Sequence, residues 1–295
     1  MPSFHFELSK CNRRKKALCI GVNYIGMKEQ LNGCINDARA VRKFLIQHCG
    51  YKREDIVLLT DDATNPRQVP TRQNMLDGMR WLVRDAHKHD SLFFHYSGHG
   101  SQVKDQDGDE VDGYDEVILP VDFRQAGIIT DDLMHDIMVK PLPSGCRLTA
   151  LFDSCHSGTA LGTPSRICAG PHALTAPVRS SLCRTSHTPA GLHDTQLTRY
   201  IGSRIARAHQ AEKASPADVI SFSGCSDSQT SADTYEDGAA AGAMSYAFIQ
   251  VLTQNPGLTY QQLLVSVRKI LREKYKQKPQ LSSSHRIDTS YKFIL

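Results

Sequence analysis

Leu92-Phe93-Phe94-His95-Tyr96 runs straight into Ser97-Gly98-His99-Gly100, and Leu148-Thr149-Ala150-Leu151-Phe152 runs into Asp153-Ser154-Cys155-His156-Ser157-Gly158. Both are short apolar runs that stop at small and polar residues, the pattern of a strand covered on both faces. Working outward, Ala17–Val22, Ile56–Thr60, Val117–Val121 and Val219–Phe222 read as further strands. A helix is expected near Asn36–Cys49, and another over Arg72–His87, where Met75, Met79, Leu82 and Val83 recur at helical spacing. Ala243–Thr253 and Thr259–Lys274 read as late helices, and Tyr291–Leu295 as a strand closing the sheet. Strands alternating with helices predict an α/β fold, a mostly parallel sheet sandwiched between helices. Such sheets bind ligands beyond the carboxyl ends of their strands.

Composition narrows the class. The 295 residues are 40% hydrophobic and 22% charged, with a formal net charge of +4, which is too slight to indicate nucleic acid. No run of about 18 apolar residues offers a membrane-spanning helix, and the opening MPSFHFELSK lacks the apolar core of a signal peptide. The nine cysteines form no CxxC pair, which argues against a structural zinc site or a disulfide scaffold. A reduced, cytoplasmic, soluble protein is the expectation. The basic cluster Lys10–Lys16 leaves nuclear import open.

The organisation expected is a basic arm over 1–15, a large part over 16–162, a linker over 163–215 and a small part over 216–295. The linker shows no convincing strand and carries seven Arg and Lys against two Asp and Glu. Its centre is rich in Ser, Thr, Ala, Pro and His, which suits an exposed connection.

Two strand ends carry the chemistry. A free thiol with a pKa of about 8.5 is only a few per cent thiolate at neutral pH. An imidazole beside Cys155 would take its proton during attack and later protonate a leaving amine. His99 suits that role if the two strands are adjacent, whereas His156, the sequence neighbour of Cys155, would point away in an extended segment. A cysteine phosphatase would need Arg six places after the cysteine, where Leu161 stands.

SGHG and DSCHSG, with His99 and Cys155 56 positions apart, resemble the caspase-type dyad. GCINDA (Gly33–Ala38), FFHYSGHGS, GDEVDGYDE, HDIMVKPL and SGCSDSQTSAD (Ser223–Asp233) resemble the type I metacaspases, over roughly Lys16 to Leu295 apart from the linker. That resemblance implies the caspase–hemoglobinase fold, a cysteine endopeptidase with His99 and Cys155 as its dyad, and a monomer. The Pro/Gln-rich segment that often precedes the catalytic region of type I members is not among these residues, so a short or trimmed member is expected. Donors for the oxyanion would be the backbone N–H groups of Cys155 and Gly100, with Gly98 a weaker candidate. A caspase-like binding or aggregate-clearing module is the alternative from another class.

Asp37 follows the first strand, Asp153 precedes Cys155 by two places, and Asp227 follows the Val219–Phe222 strand. Carboxylates converging at one sheet edge would bind Arg or Lys and repel acidic residues. The family resemblance implies the same pocket, with Cys34 and Ser97 near it. Protein or peptide substrates with exposed Arg or Lys follow. The linker's own Arg166, Arg179, Arg184, Arg199, Arg204, Arg207 and Lys213 then make self-cleavage there an expectation.

Asp105–Glu116 holds seven carboxylates in twelve residues. Its turn glycine, Gly108, falls at the fourth place and not the sixth, so it is no EF-hand. Many carboxylates still favour a hard cation such as Ca²⁺. The resemblance implies Ca²⁺ held by Asp115, Asp131 and Asp132, with Gly162 where relatives supply a further Asp.

Overall fold

The computed structural model describes residues 7–104, 114–154, 161, 165–167, 215–224, 233–236, 239–275, 277, 279–285 and 287–295. In chain order its strands are β1 (Lys15–Gly21), β2 (Ile56–Thr60), β3 (Ser91–Ser97), β4 (Gly100–Lys104), β5 (Tyr114–Ile118), β6 (Ile129–Thr130), β7 (Arg147–Asp153), β8 (Ser165–Ile167), β9 (Asp218–Ser223), β10 (Asp233–Glu236), β11 (Ala239–Gly242) and β12 (Gln280–Ser283). The helices are α1 (Cys34–His48), α2 (Arg72–Val83), α3 (Phe123–Ala126), α4 (Asp131–Met138), α5 (Ala243–Gln254) and α6 (Tyr260–Tyr275).

The main sheet runs β2-β1-β3-β7-β9-β12-β8. From β2 to β9 every pairing is parallel, and β12 and β8 close one side antiparallel. Strands from before and after residues 168–214 therefore share one sheet. Its central strands are buried on both faces, which is why they read as unbroken apolar runs. On one face Phe94, Tyr96 and Phe152 pack with Met75 and Met79 of α2 and Met134 and Met138 of α4. On the other, Phe93 and Phe222 meet Phe44 of α1, Phe248 of α5 and Leu263 of α6. The three layers match the expected α/β class. Among the described residues no helix is long and apolar enough to cross a membrane.

Four expectations are corrected. The Val117–Val121 run is β5, and it belongs to a separate antiparallel sheet, β4-β5-β6, beside the main one. Tyr291–Leu295 is not a strand. The last strand of the sheet is Gln-Leu-Ser-Ser (Gln280–Ser283), polar yet fully buried, while Phe293 fills the core edge-on to Phe222 and Tyr260. Within 163–215, Ser165–Ile167 does form a strand, paired with β12. The helix expected to reach His87 stops at Val83, before Asp85 turns to φ 58°.

The basic cluster is partly structural. Lys15 Nζ donates to the carbonyls of Cys49 (2.7 Å) and Leu295 (2.8 Å). Lys16 is buried beneath Trp81, 4.3 Å from its ring, and bonds the Trp81 carbonyl at the end of α2. Burial lowers its pKa to about 8.

Candidate active site

β3 and β7 are neighbours, and their register sets Ser97 opposite Asp153. The Gly98 N–H donates to the Asp153 carbonyl at 3.4 Å, so the two strand ends stay joined where the chain leaves the sheet. His99 and Cys155 each stand two residues beyond that matched pair. Cys155 itself lies outside the described residues, as do Asp227 and Gly162.

His99 is half-buried, and two tyrosines hold its backbone. The Tyr24 hydroxyl accepts from the His99 N–H (3.0 Å) and donates to the Leu119 carbonyl (2.7 Å). The Tyr96 hydroxyl donates to the His99 carbonyl at 2.7 Å and accepts from the Leu119 N–H at 3.2 Å. Both phenols are buried, which pushes their pKa values above the ordinary tyrosine range and keeps them neutral hydrogen-bonding groups. Gly98 has to be glycine here, since a Cβ would lie 2.6 Å from the Tyr96 hydroxyl. The glycine beside the histidine thus makes room for a phenol. Gly100 opens β4, opposite Ile118.

The His99 ring is fixed as firmly as its backbone. Nε2 lies 2.7 Å from the Glu29 carbonyl, an acceptor, so Nε2 carries a proton, and it is the neutral ring that has its lone pair on Nδ1. The Tyr24 ring covers one face, with centroids 4.8 Å apart. The Glu29 side chain bonds Arg124 of α3 at 2.5 Å and steadies the loop that presents the carbonyl. An imidazole oriented this way presents a base on the side away from Glu29.

Two of the three carboxylates expected to line a pocket, Asp37 and Asp153, come close together at the ends of α1 and β7. Asp37 is buried in the first turn of α1, where Ser97 Oγ donates to its Oδ2 at 2.6 Å. Its Oδ1 accepts from the Gly242 N–H at 2.7 Å, and Asp153 Oδ2 accepts from the Ser245 N–H at 2.7 Å. A Cβ on Gly242 would come within 2.3 Å of Asp153 Oδ2 and 2.6 Å of Asp37 Oδ2, so both carboxylates converge on this one glycine. Cys34 begins α1, its backbone pressed against Gly21, which pairs with Ser97. Asp37, Ser97 and Asp153 therefore meet, with Cys34 at the end of the neighbouring strand.

Asp115 of β5 and Asp131 and Asp132 of α4 form the acidic cluster, with one oxygen from each within 4.8 Å of the others. That spread is the diameter of a Ca²⁺ shell, given Ca–O distances of about 2.3–2.6 Å. Carboxylate oxygens suit this hard cation, and the three side chains fit it. The rest of the acidic loop, 105–113, is outside the described residues.

Tyr24, Tyr96, Glu29, Gly242 and Ser245 were not singled out by the sequence. Tyr96, at the end of the strand entering SGHG, carried the one usable signal: a polar-tipped aromatic where only a filler is needed.

A family profile described as "Metacaspase, peptidase C14 domain" matches residues 15–164. Metacaspase-1 of Cryptococcus neoformans var. neoformans serotype D is 55% identical over 305 residues, covering 98% of this chain and 66% of that protein. Metacaspase-1 of Schizosaccharomyces pombe is 51% identical, covering 99% of this chain and 72% of its own length. The chain thus spans about two thirds of the Cryptococcus relative. Among solved structures, protein GSU0716 from Geobacter sulfurreducens aligns with a TM-score of 0.59 at 22% identity, over 94% of this chain and 95% of that one. Pro-sf-caspase-1 aligns with a TM-score of 0.53 at 11% identity, over 96% and 94%. At these identities the two structures bear on the fold alone, which is the caspase–hemoglobinase fold.

Proposed function

The chain belongs to the metacaspase family of C14 cysteine peptidases, and from that premise we propose that it is a Ca²⁺-stimulated endopeptidase cleaving after Arg or Lys. Cys155 is the nucleophile and His99 the general acid and base. His99 Nδ1 takes the thiol proton while Nε2–H stays on the Glu29 carbonyl, and the sulfur attacks the scissile carbonyl carbon. As the C–N bond breaks, His99 returns that proton to the departing amine, leaving a thioester. Water, giving a proton to His99, then attacks the thioester carbonyl carbon; the C–S bond breaks, the acid leaves, and the proton on His99 returns to the Cys155 sulfur. Backbone N–H groups of Cys155 and Gly100 receive the developing oxyanion.

Asp37 and Asp153 support the specificity. Two buried carboxylates facing one site favour a guanidinium, whose planar fork spans both, over an ammonium, and disfavour an acidic side chain. Asp227, Cys34 and Ser97 complete this pocket. The same preference directs self-cleavage to basic residues of the linker. Arg166 is a poor candidate, because it sits within β8 against Ser282.

Asp115, Asp131 and Asp132 would hold Ca²⁺, which neutralises carboxylates that otherwise repel one another. A monomer is carried over from the family resemblance, and it is consistent with β8 pairing along the side of β12 away from β9, so that β12 is not itself a sheet edge. A cytoplasmic setting suits the five described cysteines, none in a disulfide among the described residues.

The observation that carries the reading is the His99 ring, held by Glu29 at the end of the strand paired to the one leading into Cys155. Wild-type protein and Cys155→Ala, assayed on Arg-ended and Asp-ended fluorogenic peptides with and without Ca²⁺, test it. Arg-ended cleavage confined to wild type is expected. Activity in the variant removes the nucleophile, and cleavage limited to Asp-ended peptides removes the pocket.

A further inference from the structure

Alternate residues of β3 point to opposite faces of the sheet. Phe93, His95 and Ser97 face α1 and α5, and Phe93 packs against Phe248 of α5 at 6.4 Å between ring centroids. His95 is out of place among such neighbours. It is completely buried, and burial lowers its pKa to about 3, so it is a neutral imidazole. Its Nδ1 has no hydrogen-bond partner among the described residues, while its Nε2 lies 3.0 Å from Ser245 Oγ. One polar contact therefore accounts for a histidine in the middle of an apolar strand.

That contact falls on the turn bearing the acidic pocket. Ser245 is the third residue of α5, and its N–H is the donor to Asp153. Gly242, immediately before the helix, gives its N–H to Asp37, and Asp37 is tied in turn to Ser97. So two consecutive inward residues of β3 hold the pocket from either side. Ser97 fixes one carboxylate directly, and His95 fixes the turn 242–245 that binds both. The paired like charges face the N-terminus of α5, whose N–H groups and dipole favour negative charge. A shift of this turn moves both carboxylates together.

We propose that His95 is a positioning residue of the specificity pocket, pinning the first turn of α5 through Ser245 Oγ so that Asp37 and Asp153 keep the spacing a guanidinium requires. The proposal rests on the reading of this pocket as the Arg/Lys site. His95 touches neither substrate nor the reacting atoms. It acts on binding of the basic side chain, and its removal registers in KM ahead of kcat.

The test compares wild type, Ser245→Ala, His95→Phe and His95→Gln in the full chain, on peptides ending in Arg or in norleucine. Losing one hydrogen bond of ordinary strength raises KM for the Arg peptide about five- to tenfold in Ser245→Ala and His95→Phe. Their kcat stays near wild type, and the preference for Arg over norleucine shrinks by the same factor. Amide hydrogen exchange at 242–245 speeds up, while alkylation of Cys155 by iodoacetamide, a probe too small to use the pocket, keeps its rate. His95→Gln retains a donor and recovers part of the loss. An unchanged KM, or equal losses in kcat and alkylation rate, overturns the proposal and leaves His95 as packing. Wild type that cleaves Arg and norleucine peptides alike overturns the pocket reading itself, an outcome visible before any variant is compared. Ser245→Ala removes a single oxygen, so it carries the test if His95→Phe fails to fold.

Discussion

Arg147 and Asp218 meet across β7 and β9 at 2.5 Å, their side chains 2% and 0% exposed. Asp218 also accepts from the Ser9 N–H at 3.1 Å, and Arg147 Nη1 donates to the Ile294 carbonyl at 3.3 Å. The pair stands at the end of the sheet remote from His99 and gathers both chain ends onto the strands flanking the linker. Breaking one partner of such a pair strands the other charge in the core. Asp218→Asn is therefore expected to cost about 3–5 kcal/mol of stability, and an apolar replacement of both residues to recover most of it. Chemical denaturation of the two variants checks this.

Tyr24→Phe removes the acceptor of the His99 N–H and the donor to Leu119 while keeping the ring against the imidazole. A buried group left unpaired costs about 1–3 kcal/mol. The variant is expected to lose about that much stability and to lower kcat more than it raises KM, because the histidine backbone is released and the carboxylate pocket is untouched. Steady-state kinetics beside a melting curve separates the two effects.

Stability should fall in mild acid. Burial depresses the folded-state pKa of His95 from 6.5 to about 3, and that of His285 from 6.5 to about 4. Between those values the unfolded chain binds protons that the folded chain refuses, so stability is full above about pH 6.5 and declines as pH falls. Each such group contributes a slope of up to about 1.4 kcal/mol per pH unit. Denaturation midpoints from pH 7 to pH 4 should fall, and fall less steeply in His95→Gln.

Asp131→Asn is expected to shift melting in opposite directions. Without Ca²⁺ it relieves repulsion among three carboxylates within 4.8 Å and raises Tm. With Ca²⁺ at a hundredfold excess over Kd, wild type gains about 2.7 kcal/mol by mass action, and the variant gains far less. Thermal scans with Ca²⁺, Mg²⁺ and chelator read this without any substrate. A wild-type Tm indifferent to Ca²⁺ removes the metal site.

The buried parallel strands were the legible part of the sequence. β2 matches its apolar run residue for residue, and β3 and β7 extend theirs by one residue at each end, because a strand covered on both faces has little room for polar side chains. β12 was illegible for the converse reason: Gln-Leu-Ser-Ser is buried through backbone pairing, with no apolar pattern to announce it. Phe293 announced a strand and proved to be core filling from a loop. Asp37, Ser97 and His99 could be found as chemistry at strand ends. His95, Ser245 and Tyr24 could not, since their roles arise from β3 facing α5 and from a hydroxyl reaching 75 positions along the chain to the His99 amide.

Because β7 and β9 are hydrogen-bonded neighbours in the middle of the sheet, scission between residues 168 and 214 would not release a fragment. The two pieces would remain interlocked through a shared ladder, a common aromatic cluster and a sequestered ion pair. A nicked molecule should elute from a sizing column as one particle and resolve into two bands only after denaturation.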